Sequence, residues 1–247
     1  MFSMLNSVFS ILYHDINKNI VIHTATGFLV ANNGLFISVG HTFRNKEICN
    51  RVDIDNFRAF FTYDTQMLIK FKHIWYKSLN IWEQKRPEYI DIAVGLLDLN
   101  SISYLVLDRR RPTIGQDLTL YACLNTKPIN NYGSDFSCLQ DLDKIVLHSE
   151  NMTVLQSDAL ISDLPSHYVM NREDVPPQFF YNNCITLSGK SRHGASGCPI
   201  IDKNGLVKGV LIGSPTNVNE IDILLSKWCS KIIQFKTNYK FNAYEYL

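Results

Sequence analysis

Residues 188–210 read SGKSRHGASGCPIIDKNGLVKGV. The second half of this stretch frames the first. "DKNG" (202–205), between the apolar runs "CPIID" and "LVKGV", is hairpin chemistry, because Asn and Gly accept the positive φ that tight turns impose. "GASG" (194–197) therefore lies on the loop entering a β-hairpin, with Ser196 between two glycines. Such a loop is either a plain glycine-rich connection or one shaped to present a single hydroxyl. Cys198 adds a rival thiol two residues on.

Short apolar runs broken by turn residues extend in both directions from here. Ser7–Tyr13 and Ile20–Val30 are rich in Val, Ile, Phe and Thr, and Asn33-Gly34 is a two-residue hairpin signal. Arg58–Tyr63, Met67–His73, Ile90–Leu97 and Tyr104–Leu107 also read as strands. After "DRRRP" the pattern restarts with "GQDLTLYACL", "DKIVLHS", "MTVLQSDAL" and "NNCITLSG". The stretches 131–143 and 163–178 read as long loops. Only "NEIDILLSKWCSKIIQF" reads as a helix, with Asn219 as its cap and Ile221, Leu224, Leu225, Trp228, Ile232 and Ile233 near one face. The expectation is an all-β chain of two successive units joined near Asp108–Ile114, followed by that helix.

Composition narrows the function classes. The 247 residues are 46% apolar and 19% charged with a net charge of +1, so no long-range field steers the chain to nucleic acid or an acidic membrane. The compact basic run Arg109–Arg111 precedes Pro112 and reads as a solvated linker. No stretch approaches the roughly 18 apolar residues of a membrane span, and the start lacks the basic lead and cleavage site of a signal peptide. The six cysteines form no C-x-x-C pair and no metal-ligand spacing, which points to reduced thiols, a cytoplasmic setting and no metal or organic cofactor.

Three residues qualify for nucleophilic chemistry. A serine hydroxyl needs an adjacent base, and the base needs an orienting group. His41 follows the strand-like "GLFISVG", where a scaffold can aim it. Asp91 heads the apolar run "DIAVGLLDL"; a carboxylate buried there would have to be paired. Asp98, at the far end of that run, is a rival. The glycines flanking "AS" let the amides of Gly194 and Ser196 converge into an oxyanion hole, worth roughly 3–4 kcal/mol per donor.

"TGFLVANNGLFISVGHTF", "DIAVGLLDL", "IGQDLTLYA" and "GASGCPIIDKNGLVKGV" together resemble, in order and spacing, the landmarks of the chymotrypsin-fold serine peptidases, and within them the HtrA-like bacterial branch without its PDZ module. The resemblance covers roughly residues 20–215. It implies two six-stranded antiparallel β-barrels: residues 1–110 carry His41 and Asp91, residues 111–216 carry Ser196, and residues 217–247 form the helix and tail. It also implies a serine endopeptidase acting on a protein or peptide through a His41–Asp91–Ser196 triad, with Gly194 and Ser196 as the oxyanion hole. Lys190 and His193, with Leu211, Ile212 and Gly213 as a wall, would border the specificity pocket. Such a His base implies activity that rises as the imidazole deprotonates.

Departures from the pattern sharpen these expectations. Ala195 stands where trypsin-like zymogens carry the aspartate that pairs with a freed N-terminus, which implies a chain born competent or ordered by an activating partner protein. Cys198 replaces a glycine and reads as a packing residue, since Ser196 holds the nucleophile's place. A G-x-S-x-G elbow fails at Cys198 and in chain order. The competing expectation is a latent or partner-gated module that keeps the fold and acts by binding protein.

Overall fold

The computed structural model describes residues 5–15, 20–43, 54–63, 68–78, 91–101, 103–108, 110–126, 135–136, 142, 145–157, 184–189, 192, 194–213 and 220–225. Six strands make a first ring: β1 (Val8–Asp15), β2 (Ile20–Leu29), β3 (Leu35–Ser38), β4 (Phe57–Phe60), β5 (Leu68–Ser78) and β6 (Asp91–Leu97). Their order is β1-β4-β5-β6-β3-β2, and β2 pairs back on β1 to close the ring, every pairing antiparallel.

The later strands are β7 (Val106–Leu107), β8 (Asp117–Asn125), β9 (Asp135–Phe136), β10 (Ile145–Ser157), β11 (Cys184–Ser188), β12 (Pro199–Ile201), β13 (Leu206–Gly213) and β14 (Glu220–Leu225). The order β12-β8-β10-β11-β14-β13, with β12 also on β13, makes the second ring. β7 adds to β13 in parallel, and β9 crosses to the first ring, where Val21 and Ile22 pair with Phe136 and Asp135.

Period-two alternation explains the packing. On β1, Phe9 and Ile11 enter the first ring, while Val8 and Leu12 face the opposite way. Inside the ring Phe9 packs edge-on to Phe36, with centroids 5.6 Å apart. On β8, Leu118, Leu120, Ala122 and Leu124 fill the second ring, whereas Cys123 points out of it. A third cluster forms from the outward faces and joins the rings: Val8, Leu12, Phe28, Ile37 and Phe60 share it with Cys123, Ile145, Ile201, Val207 and Val210.

Four sequence expectations need correction. "EIDILL" begins the expected helix but is β14, paired on both sides, with Ile223 opposite Ile185 of β11 and Leu211 of β13. The remainder of that expected helix, from residue 226, lies outside the described residues. "DKIVLHS" and "MTVLQSDAL" are not two strands. Ile145–Ser157 is the single 13-residue β10, which pairs with β8 over Ile145–Thr153 and then with β11. Within 131–143, read as a loop, Asp135–Phe136 is a strand. The β2–β3 hairpin turns more widely than two residues: Val30 donates to the Leu35 carbonyl at 2.8 Å, and Gly34 has φ +84°. "DKNG" is a tight hairpin as read, with the Asp202 carboxylate accepting from the amides of Asn204 and Leu206.

Where β7 meets β13, three charged groups are buried together. Lys208, 4% exposed, bonds the Asp108 carboxylate and lies 3.7 Å from Asp202. Arg110 closes over Asp108 at 3.2 Å with its own head largely in water. Burial pushes the Asp108 carboxyl up, but hydrogen bonds from Lys208 and Arg110 outweigh it and hold the group well below the ordinary carboxylate range. Among the described residues no helix is long and apolar enough to cross a membrane.

Candidate active site

The loop before β12 holds its shape through its peptide units. Gly194 has φ +91°, and the Ala195 amide donates to the Arg192 carbonyl at 3.0 Å. An i to i+3 bond with a positive φ at the third residue marks a tight turn, and glycine suits that position. The peptide from Gly194 to Ala195 is held at both ends, because its carbonyl accepts from the Thr26 hydroxyl at 2.8 Å. The next carbonyl, of Ala195, accepts from Cys198 N–H at 3.0 Å. A trans peptide sets C=O and N–H on opposite sides, so this bond fixes the direction of the Ser196 amide. The following peptide is again held at both ends: Ser196 C=O accepts from Thr26 N–H at 2.9 Å, and Gly197 N–H donates to Leu211 C=O at 2.7 Å. Ser196 is half-buried at the apex.

The first ring forms the seat for this loop. A Cβ on Gly197 would lie 2.2 Å from the Thr26 carbonyl oxygen, 2.3 Å from Ser38 Oγ and 3.2 Å from Val39 N. A Cβ on Gly194 would lie 2.4 Å from the ring of the buried His23. Only bare backbone approaches this closely. Ser38 in turn donates its hydroxyl to Thr26 C=O at 2.7 Å, tying β3 to β2 beneath the loop.

Two residues beyond Val39, His41 lies in the 3-10 turn Gly40–Phe43, which is anchored by Phe43 packed among Phe57 and Phe71. Asp91 is the first residue of β6, opposite Ser78 of β5. On its other edge β6 pairs with β3, with Ser38 opposite Ala93 as the last pair, and β6 also lies against the 3-10 turn Gly40–Phe43. The backbones of the three sequence-predicted residues thus gather at one end of the first ring, under the Ser196 loop. The side chains of His41 and Asp91 lie outside the described residues.

Cys198 is fully buried inside the second ring beside Ala195, and burial, then the neighbouring Cys123, pushes its thiol well above the ordinary range. It stays protonated and shut off from solvent. Leu211 packs in the same interior and bonds the loop through both its amide and its carbonyl. Ile212 and Gly213 continue β13; the Ile212 side chain, and all of Lys190 and His193, lie outside the described residues. Asp98, the rival carboxylate, is exposed and paired with Lys72 at 2.8 Å. No group of His, Cys, Asp and Glu able to hold a metal occurs among the described residues. Thr26 and His23 were not singled out in the sequence. Their signal was polar side chains repeating on the otherwise apolar "IVIHTATGFLV".

No protein-family model and no curated protein sequence matches the chain. Solved structures do. A Glu endopeptidase aligns at TM-score 0.62 and 14% identity, covering 94% of this chain and 90% of that one. The Rv3671c protease of M. tuberculosis in its active form aligns at 0.59 and 13%, covering 94% and 82%. A scabies mite inactivated protease paralogue aligns at 0.64 and 12%, covering 96% and 94%. The chain therefore has the double-barrel fold of the chymotrypsin-type serine proteases; these likenesses do not separate the branches of that fold.

Proposed function

We propose that this double-barrel protein is a serine endopeptidase whose nucleophile is Ser196. His41 takes the hydroxyl proton as Ser196 attacks the substrate carbonyl, then returns it to the leaving amine. Asp91 holds the imidazole in the tautomer this requires, and the amides of Gly194 and Ser196 hold the oxyanion. Water then repeats the sequence on the acyl-enzyme. The substrate is a protein or peptide lying between the rings.

The observation that carries this reading is the seating of the Ser196 loop on the end of β3, with Gly197 against Ser38 and Val39, two residues from His41. A glycine-rich connection with no further role has no need for every carbonyl from Gly194 to Ser196 to be bonded. The thiol alternative is disfavoured by the burial of Cys198.

Ala195 is buried at 1% exposure, so no carboxylate at that place waits for a new N-terminus. This argues against activation by an N-terminal ion pair and supports an enzyme that is born competent or ordered by an activating partner. A fluorophosphonate probe tests the proposal. Labelling lost in Ser196→Ala and kept in Cys198→Ala is the expected result. A folded wild-type protein that never labels, alone or with added partner, overturns it. That outcome would favour the second reading, a protein-binding module on a peptidase fold, which the likeness to an inactivated protease paralogue supports.

A further inference from the structure

We infer that Thr26 is the positioning residue of the oxyanion loop, a role that rests on the serine-peptidase reading above. Two polar groups of this one residue on β2, its amide and its hydroxyl, make three hydrogen bonds across to the second ring. Its amide donates to Ser196 C=O at 2.9 Å, and its hydroxyl donates to Gly194 C=O at 2.8 Å. The same hydroxyl oxygen accepts from Cys123 N–H at 3.1 Å on β8. A hydroxyl has one proton, and Gly194 C=O at 2.8 Å takes it in preference to Cys123 C=O at 3.4 Å. The bonds therefore run in one direction, from Cys123 through Thr26 to Gly194.

This places Thr26 on both sides of the nucleophile. Gly194 C=O and Ser196 C=O belong to the peptides that precede and follow the Ala195–Ser196 unit, so fixing them fixes the frame in which Ser196 N–H is aimed. The Thr26 carbonyl, held by Ser38, supports Gly197 at the same time. Thr26 is wholly buried, so no water replaces its hydroxyl when it is removed. The backbone bond to Ser196 remains available when the side chain becomes Val or Ala, whereas the bond to Gly194 is lost with the hydroxyl. Thr26 thus divides the loop's support into a part that mutation spares and a part that it removes.

Thr26→Val keeps the shape and removes the hydroxyl, while Thr26→Ser keeps the hydroxyl and removes a methyl. The expected result is a fall of about tenfold to a hundredfold in kcat for Thr26→Val on a peptide substrate, with KM within about threefold of wild type, as misaimed oxyanion donors produce. Thr26→Ser is expected to recover most of that loss. Amide hydrogen exchange across 192–198 is expected to quicken in Thr26→Val, and this readout survives even if activity is too low to measure. If Thr26→Val is poorly folded, Thr26→Ala compared with Thr26→Ser gives the same contrast. Unchanged kcat with unchanged exchange in a folded Thr26→Val overturns the inference while leaving the enzyme reading intact. A wild type that neither turns over substrate nor labels at Ser196 overturns both.

Discussion

Gly197→Ala probes the seat of the nucleophile loop most directly. Two costs add. At φ +86°, an L-residue bears roughly 1–2 kcal/mol of left-handed strain. The new methyl then meets Thr26 O at 2.2 Å and Ser38 Oγ at 2.3 Å. The first of these neighbours is strand backbone, so relief requires moving a ring wall, and overpacking of this kind costs about 1–3 kcal/mol. Gly115→Ala supplies the control, since Gly115 has φ +82° but nothing within 4 Å of its missing Cβ. It carries the strain and not the clash. The total for Gly197→Ala is about 2–5 kcal/mol. At roughly 2–4 °C per kcal/mol for a chain of this size, Tm is expected to fall on the order of 10 °C. Gly115→Ala, with the strain alone, should fall by less than half of that. Scanning calorimetry reads the stabilities, and the fluorophosphonate rate, expected to drop at least about tenfold in Gly197→Ala, reads the site. If Gly197→Ala matches Gly115→Ala in Tm and labels at the wild-type rate, the loop is not seated on β2 and β3 as described.

Two further outcomes follow from buried groups. Lys208→Met removes the cation from Asp108 and Asp202, and breaking a buried pair from one side is expected to cost about 3 kcal/mol by urea denaturation. The folded-state carboxyl of Asp108 is depressed, so its contribution is present above the unfolded value near pH 4 and is lost as pH falls toward the lower folded value. Wild-type stability should therefore drop on acidification below about pH 5, and the Lys208→Met profile should be flatter over that range. Cys123 and Cys198 are fully buried, and burial raises both thiols, so iodoacetamide should leave both unmodified in native protein and modify both in urea. Native-state modification of Cys198 on the time scale of an exposed thiol would contradict the packing beside Ala195.

Much of the fold was legible because turn chemistry is local. "DKNG" carries its own instructions: an aspartate that accepts two amides and a glycine at φ +80°. What failed was partner-dependent. "EIDILL" holds apolar residues compatible with either period, and becomes a strand because β11 and β13 need a neighbour to close the ring. Likewise "SENM" looks like a break, yet β10 runs straight through it because β8 pairs with it residue by residue from Asn151↔Thr119 to Ser149↔Tyr121. At the site, the glycines of "GASG" announced a shaped loop. Thr26 did not announce itself, because its importance comes from a contact with Gly194, 168 positions away.

The apolar cluster between the rings also governs how the molecule is made. Phe28, Ile37 and Phe60 on the early strands wait for Ile201, Val207 and Val210 on the late ones. Ribosomes add about 5–20 residues per second, so roughly 8 to 30 seconds separate the emergence of Phe60 from that of Val210. Throughout that interval the first ring presents an apolar wall to solvent or to any chaperone that meets it. A second nascent chain offers the same unmatched wall, and two chains made close together can exchange second rings through it. Splitting the gene at the joint would make that exposure permanent, since neither half holds both sides of the cluster.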